Sequence, residues 1–441
     1  MRTTNRDARN DDSARASRRR WSASAALHQT FHALRNRNYR LFWMGQVVST
    51  IGTWMQRIAL AWLVLDLTNS PLALGLVSMF QTLPVLFLSL FGGVIADRFS
   101  KRNLLLVTQA VKLVPSAVLA VLVIIGATNL TAIYVLATLL GITNAIDSPA
   151  RQAFVKELAG PEDLPNAIAL NSIVFNSARL IGPALGGITI AWIGVAGCFT
   201  IDAVSFLAVL LGLALMREDE LYEVPNAPKG RMISQISDGV RYALRTPDIM
   251  VVLILMAVVG TFGYNFTVLL PLIAKYVLNA GPMGFGMLTS AMAIGSLIAA
   301  IGIAYSGRVS QRTLLIGATG FPVLLTALAI STMWATTIAV LIALGLFSIT
   351  FSATANSRLQ MLSLPEYRGR VMSFYTLLFM GSTPIGSLVI GTLAERQGVR
   401  MAIFELAMIC AVGVAAGYLY IRTRVASPID VTVAPQKQHA P

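Results

Sequence analysis

Twelve long apolar stretches, separated by short polar breaks, organise most of the chain. They run over roughly 40–66, 72–96, 103–126, 130–150, 166–190, 196–216, 248–277, 283–305, 312–332, 335–357, 371–394 and 400–421. About twenty apolar residues carry an α-helix across a bilayer, so each stretch predicts one transmembrane helix. The breaks alternate in character. One set is charged, over 97–102, 151–163, 217–245, 307–312 and 366–370. The other is short and nearly uncharged, over 68–71, 127–129, 194–197 and 331–334. The pattern predicts an all-α membrane protein whose helices run alternately up and down through lipid.

Some polar positions interrupt the apolar ones at helical spacing. Gln46, Thr50, Thr53 and Arg57 recur at intervals of four, three and four, which stacks them on one helix face. A charge at the bilayer centre costs about 2.5–3.5 kcal/mol on insertion scales. That face therefore either lines a water-filled path or pins the helix to a buried carboxylate. Ser172, Asn176 and Arg179 form a second stripe, with the same two readings. Two arginines on one path would favour an anionic or polyhydroxylated substrate. Lys112 either snorkels or lines the path. Asp147 and Arg151 are four apart and can pair as a gate or anchor, although Pro149 lies between them. Asp202 and Glu405 lie about a third of the way in from the uncharged-break side, and either could take up a proton. Asn171, Asn265 and Asn356 can bond substrate or join helices.

The chain also repeats itself. GVIADRFSKR (93–102) and AYSGRVSQR (304–312) each follow a second helix and enter a third. Arg98 and Arg102 match Arg308 and Arg312 at a shift of 210 (308 − 98 and 312 − 102). PEDLPNAIALNS (161–172) and PEYRGRVMSFYT (365–376) also occupy matching places. The predicted organisation is an arm over 1–38, a six-helix half over 39–216, a linker over 217–246, a second half over 247–422 and a tail over 423–441. In the linker, Ile233, Ile236, Val240 and Leu244 suit a helix lying on the membrane surface. A duplicated six-helix unit is a pattern of secondary transporters, with the path between the units.

Composition agrees with lipid as the solvent. Of 441 residues 56% are hydrophobic and 12% charged, against about 25% charged in soluble domains. The net charge of +14 is explained by its placement. Lys and Arg gather on the charged-break side with both termini, while the opposite side offers Lys275, Arg396 and Arg400. The basic side is then cytoplasmic, as expected for a multi-pass protein of the bacterial cytoplasmic membrane, and no nucleic-acid partner is implied. The arm 1–38 reads as disordered and basic; its Arg18-Arg19-Arg20 lacks the apolar run of an export signal. Cys198 and Cys410 have no metal-ligand neighbours, and all three histidines sit in the tails. No phosphate-binding GxxxxGK[ST] loop and no nucleophile–base constellation is visible, so neither an enzyme nor a metal or organic cofactor is expected.

GGVIADRFSKR (92–102) joins two glycines, Gly92 and Gly93, which allow close helix approach, to a charged turn of Asp97, Arg98, Lys101 and Arg102. Such a turn can bond to neighbouring helix ends in one conformation and release them in another, which makes it a latch. At this point the sequence resembles the major facilitator superfamily. That family's loop between helices two and three has the form GxLaDrxGrkr, matched at Gly93, Asp97, Arg98, Lys101 and Arg102; Ser100 stands where the family usually has glycine. The resemblance covers about 40–422 and implies two pseudo-symmetric six-helix halves working by alternating access. RLIGPALGG (179–187) shows by itself a kinked, closely packed helix, with Gly182 and Gly186 on one face and Pro183 and Gly187 beside them. It is similar to the GPxxGG signature on helix five of facilitator antiporters, which implies a hinge here and transport outward. IDSPARQAFVKEL, NAIALNS and ARLIGPALGG, in that order, resemble the branch of the bacterial enterobactin exporter and related secretion effectors. YVLATLLGITNA (134–145) lacks the helix-four arginine of many facilitator drug–proton antiporters and so departs from their coupling scheme.

The expectation is a secondary transporter that exports a small amphipathic or anionic molecule, siderophore-like or drug-like, by proton antiport. An importer of a nutrient or lipid on the same scaffold is the alternative; a membrane enzyme or receptor is remote. The expected partners are the small-molecule substrate, a proton or other coupling ion, and the bilayer. The path fits within one chain, so a monomer is expected. Gln46, Thr50, Thr53, Arg57, Lys112, Asn176, Arg179 and Asn265 are expected on the path. Asp147, Arg151, Asp202 and Glu405 are expected to gate or couple.

Overall fold

The computed structural model describes residues 31–222, 240–306, 308–424 and 431–432. The expected arm up to residue 30, Ile233 and Ile236 of the linker, and all of the tail past 424 except 431–432 lie outside these. Val240 and Leu244 fall in a helical segment over 240–245.

Helices begin where a polar side chain can satisfy a free backbone N–H. Asn36 caps α1 (Arg37–Thr68). Ser70, followed by Pro71, caps α2 (Pro71–Arg98). Ser100 caps α3 (Lys101–Ile124), and Asn129 caps α4 (Leu130–Ala214). Gly160 and Gly194 have left-handed φ values of 69° and 76°, which divide α4 into rods over 130–159, 161–193 and 195–214. Glycine is required at such bends because a Cβ would strain the backbone.

The C-terminal part is less regular at first. α5 (Pro247–Val258) runs into a π turn over Val259–Gly263, then α6 (Phe266–Leu272) and a second π turn over Ile273–Val277. Next come α7 (Pro282–Ser306), α8 (Gln311–Ile330) and α9 (Trp334–Leu362). α10 (Pro365–Met380), α11 (Thr383–Gln397) and α12 (Val399–Arg424) follow. One two-residue antiparallel pairing joins Arg308–Val309 to Val431–Thr432. Ten helical stretches among the described residues are long and apolar enough to cross a membrane, with α4 counted once.

Small residues set the closest approaches. A Cβ at Gly45 would meet Val209 Cα at 3.0 Å, and one at Gly52 would meet Ser205 Oγ at 2.8 Å, so α1 lies directly on the rod 195–214. Gly92 abuts the carbonyl of Ala145, but Gly93 has nothing within 4 Å. Of the two glycines expected to bring helices together, only Gly92 does so here, because one step of about 100° turns its neighbour away.

Bonds between α1–α4 and α5–α12 run from the middle of the helices to the side that carries Asn69. Ser290 on α7 donates to the Leu180 carbonyl at 2.8 Å, and Ser78 on α2 meets Ser387 on α11 at 2.9 Å. Nearer the end, Lys275 donates to the Leu65 carbonyl at 2.6 Å and Tyr276 to the Asn69 carbonyl at 2.7 Å. Glu395 on α11 accepts from Ser70 Oγ at 2.8 Å and from Leu72 N at 3.1 Å.

Candidate functional site

Arg57 is exposed at the surface of α1, its guanidinium 4.7 Å from the centre of the Trp54 ring. Trp54 meets Phe175 edge-on at 6.1 Å. Arg179, half-buried on the rod 161–193, lies within Coulombic reach of Arg57. Among the described residues neither arginine makes a hydrogen bond, and neither has a carboxylate within 4 Å. Asp202 is near enough to Arg57 for its charge to be felt, but forms no ion pair with it. Two guanidinium groups that repel each other, with no ion pair to either, form a local excess of positive charge that the more distant Asp202 offsets in part.

The C-terminal part presents an aromatic group close by. Tyr264, in the break between the first π turn and α6, is within Coulombic reach of Arg179. Its ring stacks on Phe321 at 4.9 Å and meets Phe379 edge-on at 5.1 Å; Phe379 stacks on Tyr375 at 5.9 Å. Tyr264 donates its hydroxyl to the Ser348 carbonyl at 2.5 Å, which fixes the ring.

Thr50 and Thr53 are half-buried on the Arg57 helix; Ser172 and Asn176 are exposed on the Arg179 helix. Gln46, Lys112 and Asn265, expected on the path, are instead buried and bonded within the protein. Asn265 donates to Thr261 O and accepts from Ser387 Oγ at 3.3 Å, so it joins α11 to the break before α6. Gln46 accepts from Arg151, and Lys112 donates to Asp147 at 2.7 Å.

Asp147 is the hub of that buried network. Its Oδ1 accepts from Thr108 at 2.8 Å and Gln109 at 2.6 Å; its Oδ2 accepts from Lys112 and from Arg151 Nη2 at 2.6 Å. The helix continues through Pro149, so the four-residue spacing to Arg151 does close an ion pair. Asp202 differs. It is 2% exposed, accepts from Ser116 at 2.6 Å and Thr53 at 3.4 Å, and has no cation within 4 Å among the described residues. Glu405 is half-buried on α12 and makes no hydrogen bond or ion pair among the described residues.

The charged turn is split. Lys101 pairs with Glu157 at 3.0 Å. Arg102 pairs with Glu218 and donates to the Leu213 carbonyl at 2.8 Å. Asp97 and Arg98 are exposed and make no hydrogen bond or ion pair among the described residues. In the helix-five motif, Gly182 faces Trp54, whose Cβ a Cβ there would meet at 2.5 Å, and Gly186 faces Met55. Gly187 faces Pro282 O at 2.8 Å across the join between the two parts, and Pro183 O abuts Gly286.

Sequence reasoning missed Tyr264 and Glu395, whose partners are distant in the chain and leave no local pattern. It could have found Gln109 and Ser116. They share Lys112's face at spacings of three and four, a polar stripe like the one on α1.

Residues 28–439 match the family described as transmembrane secretion effector. The chain is 29% identical over 385 residues to the staphyloferrin A transporter of Staphylococcus aureus (strain NCTC 8325 / PS 47), covering 84% of this chain and 94% of that one. It is 26% identical over 365 residues to the multidrug efflux pump Tap of Mycolicibacterium fortuitum, covering 80% and 88%. In fold it is similar to a bacterial homologue of the human lysosomal transporter Spinster, solved inward-facing and unoccupied. The TM-score is 0.67 at 12% identity, over 87% of this chain and 97% of that one.

Proposed function

The chain belongs to the transmembrane secretion effectors of the major facilitator superfamily, and on that premise we propose that it exports a small anionic or amphipathic molecule by proton antiport. Its relatives are transporters and not enzymes, and they include siderophore and drug efflux proteins. The three rods of α4 each count as a span in this reading, which gives twelve. The halves over 39–216 and 247–422 rock about a central site, with both termini in the cytoplasm of a bacterium.

One observation carries the substrate class. Arg57 and Arg179 hold unpaired positive charge within reach of each other, at the junction with Tyr264. An anion bound there would relieve their repulsion and accept directional hydrogen bonds. The bonds that join the halves toward Asn69, together with the free Asp97 and Arg98, fit a state closed outside and open to the cytoplasm. That is the loading state of an exporter. Asp202 and Glu405 are the coupling candidates, since neither has a cation within 4 Å among the described residues.

Small molecules are compared in medium and cytosol, with and without the gene, under iron-replete and iron-poor growth. Export predicts a compound that accumulates inside and disappears from the medium when the gene is absent. The reverse pattern would establish import instead.

A further inference from the structure

We propose that the central site takes a planar aryl anion held between the halves, its charge on Arg57 and Arg179 and its ring against Tyr264 and Phe379. This rests on the export reading above and narrows its substrate class.

The two sides of the junction differ in chemistry. On α1 and the rod 161–193, two guanidinium groups have no carboxylate within 4 Å among the described residues; the charge of Asp202 reaches Arg57 only from farther away, and Arg179 repels Arg57 more strongly than Asp202 attracts it. Like charges held within reach of each other repel, and an anion that bonds to both removes that cost. On the other side, Tyr264 and Phe379 are half-buried, so each keeps part of its ring accessible. Both rings are held from behind. Phe321, fully buried, stacks under Tyr264, and Tyr375 lies parallel to Phe379 with an interplanar angle of 7°. The two fixed rings stand at 75° to each other and form a corner, in which a planar ligand stacks on one and meets the edge of the other, with little side-chain ordering left to lose on binding. The rod that carries Arg179 packs on the C-terminal part right beside it, where Ser290 donates to the Leu180 carbonyl at 2.8 Å and Gly286 abuts Pro183, and Arg179 and Tyr264 interact electrostatically across that junction.

A ligand that satisfies both sides needs an anionic end and a flat end joined by a short spacer. A compact inorganic anion would leave the rings unused. A neutral aryl compound would leave the arginine repulsion in place. Contact with both halves at once also supplies what alternating access needs: occupancy that changes the free energy of rocking one half against the other.

The test uses the purified full-length protein in lipid nanodiscs and equilibrium dialysis with three radiolabelled probes: 1-naphthoate, 1-naphthalenemethanol and cyclohexanecarboxylate. Naphthoate is expected to bind about tenfold or more tighter than either of the others, roughly 1.4 kcal/mol per lost feature. Arg57→Gln with Arg179→Gln should weaken naphthoate about tenfold and leave naphthalenemethanol unchanged; the double Lys variant, which keeps both charges, should recover part of the loss. Phe379→Leu should weaken both aryl probes and leave cyclohexanecarboxylate unchanged. Equal binding of naphthoate and naphthalenemethanol would overturn the arginine half of the inference. Equal binding of naphthoate and cyclohexanecarboxylate would overturn the aromatic half, and no binding of naphthoate would overturn both. Gel filtration of each variant separates loss of binding from loss of fold.

The two readings fail separately. An exported compound that lacks an aryl anion would end this inference and leave export standing. Naphthoate binding with an unchanged medium in the gene-deleted strain would do the opposite.

Discussion

Asp147 and Asp202 are both buried aspartates in the same helical part, and they should respond very differently to the same substitution. Asp147 neutralises Lys112 and Arg151, so Asp147→Asn leaves two cations facing each other in a dry interior. Removing one member of a buried charge network costs about 3–5 kcal/mol. The variant should lose much of its thermal stability in detergent, measured by the melting of the purified protein. Asp202 is bonded only to hydroxyls, and an asparagine can accept or donate at both positions. Asp202→Asn should therefore stay within about 1 kcal/mol of the wild type. A large loss there would mean that Asp202 is ionised against a cation in the folded protein. Both positions stood out in the sequence, because a charge inside an apolar stretch is visible without any partner. Their difference was not legible there. It depends on residues 35 positions back for Asp147 and 86 back for Asp202.

At the scale of helices, the all-helical, many-span architecture was read from hydropathy alone, because lipid demands length and apolarity from every span. Two features escaped that reading. The π turns at Val259–Gly263 and Ile273–Val277 interrupt the α-helical register of one span, the first ending just before Tyr264, and no residue pattern announces a π turn. The direction of each glycine also depends on its neighbour. Gly92→Ala would press a methyl into the Ala145 carbonyl, an overpacking typically worth about 1–3 kcal/mol of destabilisation. Gly93→Ala enters open space on a helix and should gain roughly 0.5–1 kcal/mol, because alanine is the better helix former. Melting temperatures of the two variants in detergent should fall on opposite sides of the wild type. A matching fall in both would mean that Gly93 meets a partner in another conformation, as its place in the latch motif allows.

For the molecule as a whole, the decisive contact is the grip of the C-terminal part on the turn between α1 and α2. Lys275 reaches the carbonyl end of α1, and Glu395 reaches the amide end of α2. Each charge meets the helix end of opposite partial charge, so the grip uses both dipoles as well as direct hydrogen bonds. If the protein works by alternating access, as proposed, these bonds belong to one of its two states, and breaking them should shift the population toward the other. Hydrogen bonds to charged groups contribute about 1.5–3 kcal/mol, and less where water screens them, as at the exposed Glu395. Glu395→Gln or Lys275→Met should therefore raise the open population by about tenfold. The readout is the rate at which an impermeant maleimide reacts with a cysteine placed at Thr50, added from the Asn69 side of oriented vesicles. Cys198 and Cys410 are buried and should contribute little background. Combining the two substitutions should raise the rate further, because they release different helix ends. An unchanged rate in the double variant would mean that the grip does not hold the molecule shut. The closed state would then rest on packing farther in, where Gly187 meets Pro282 and Gly75 meets Ser387.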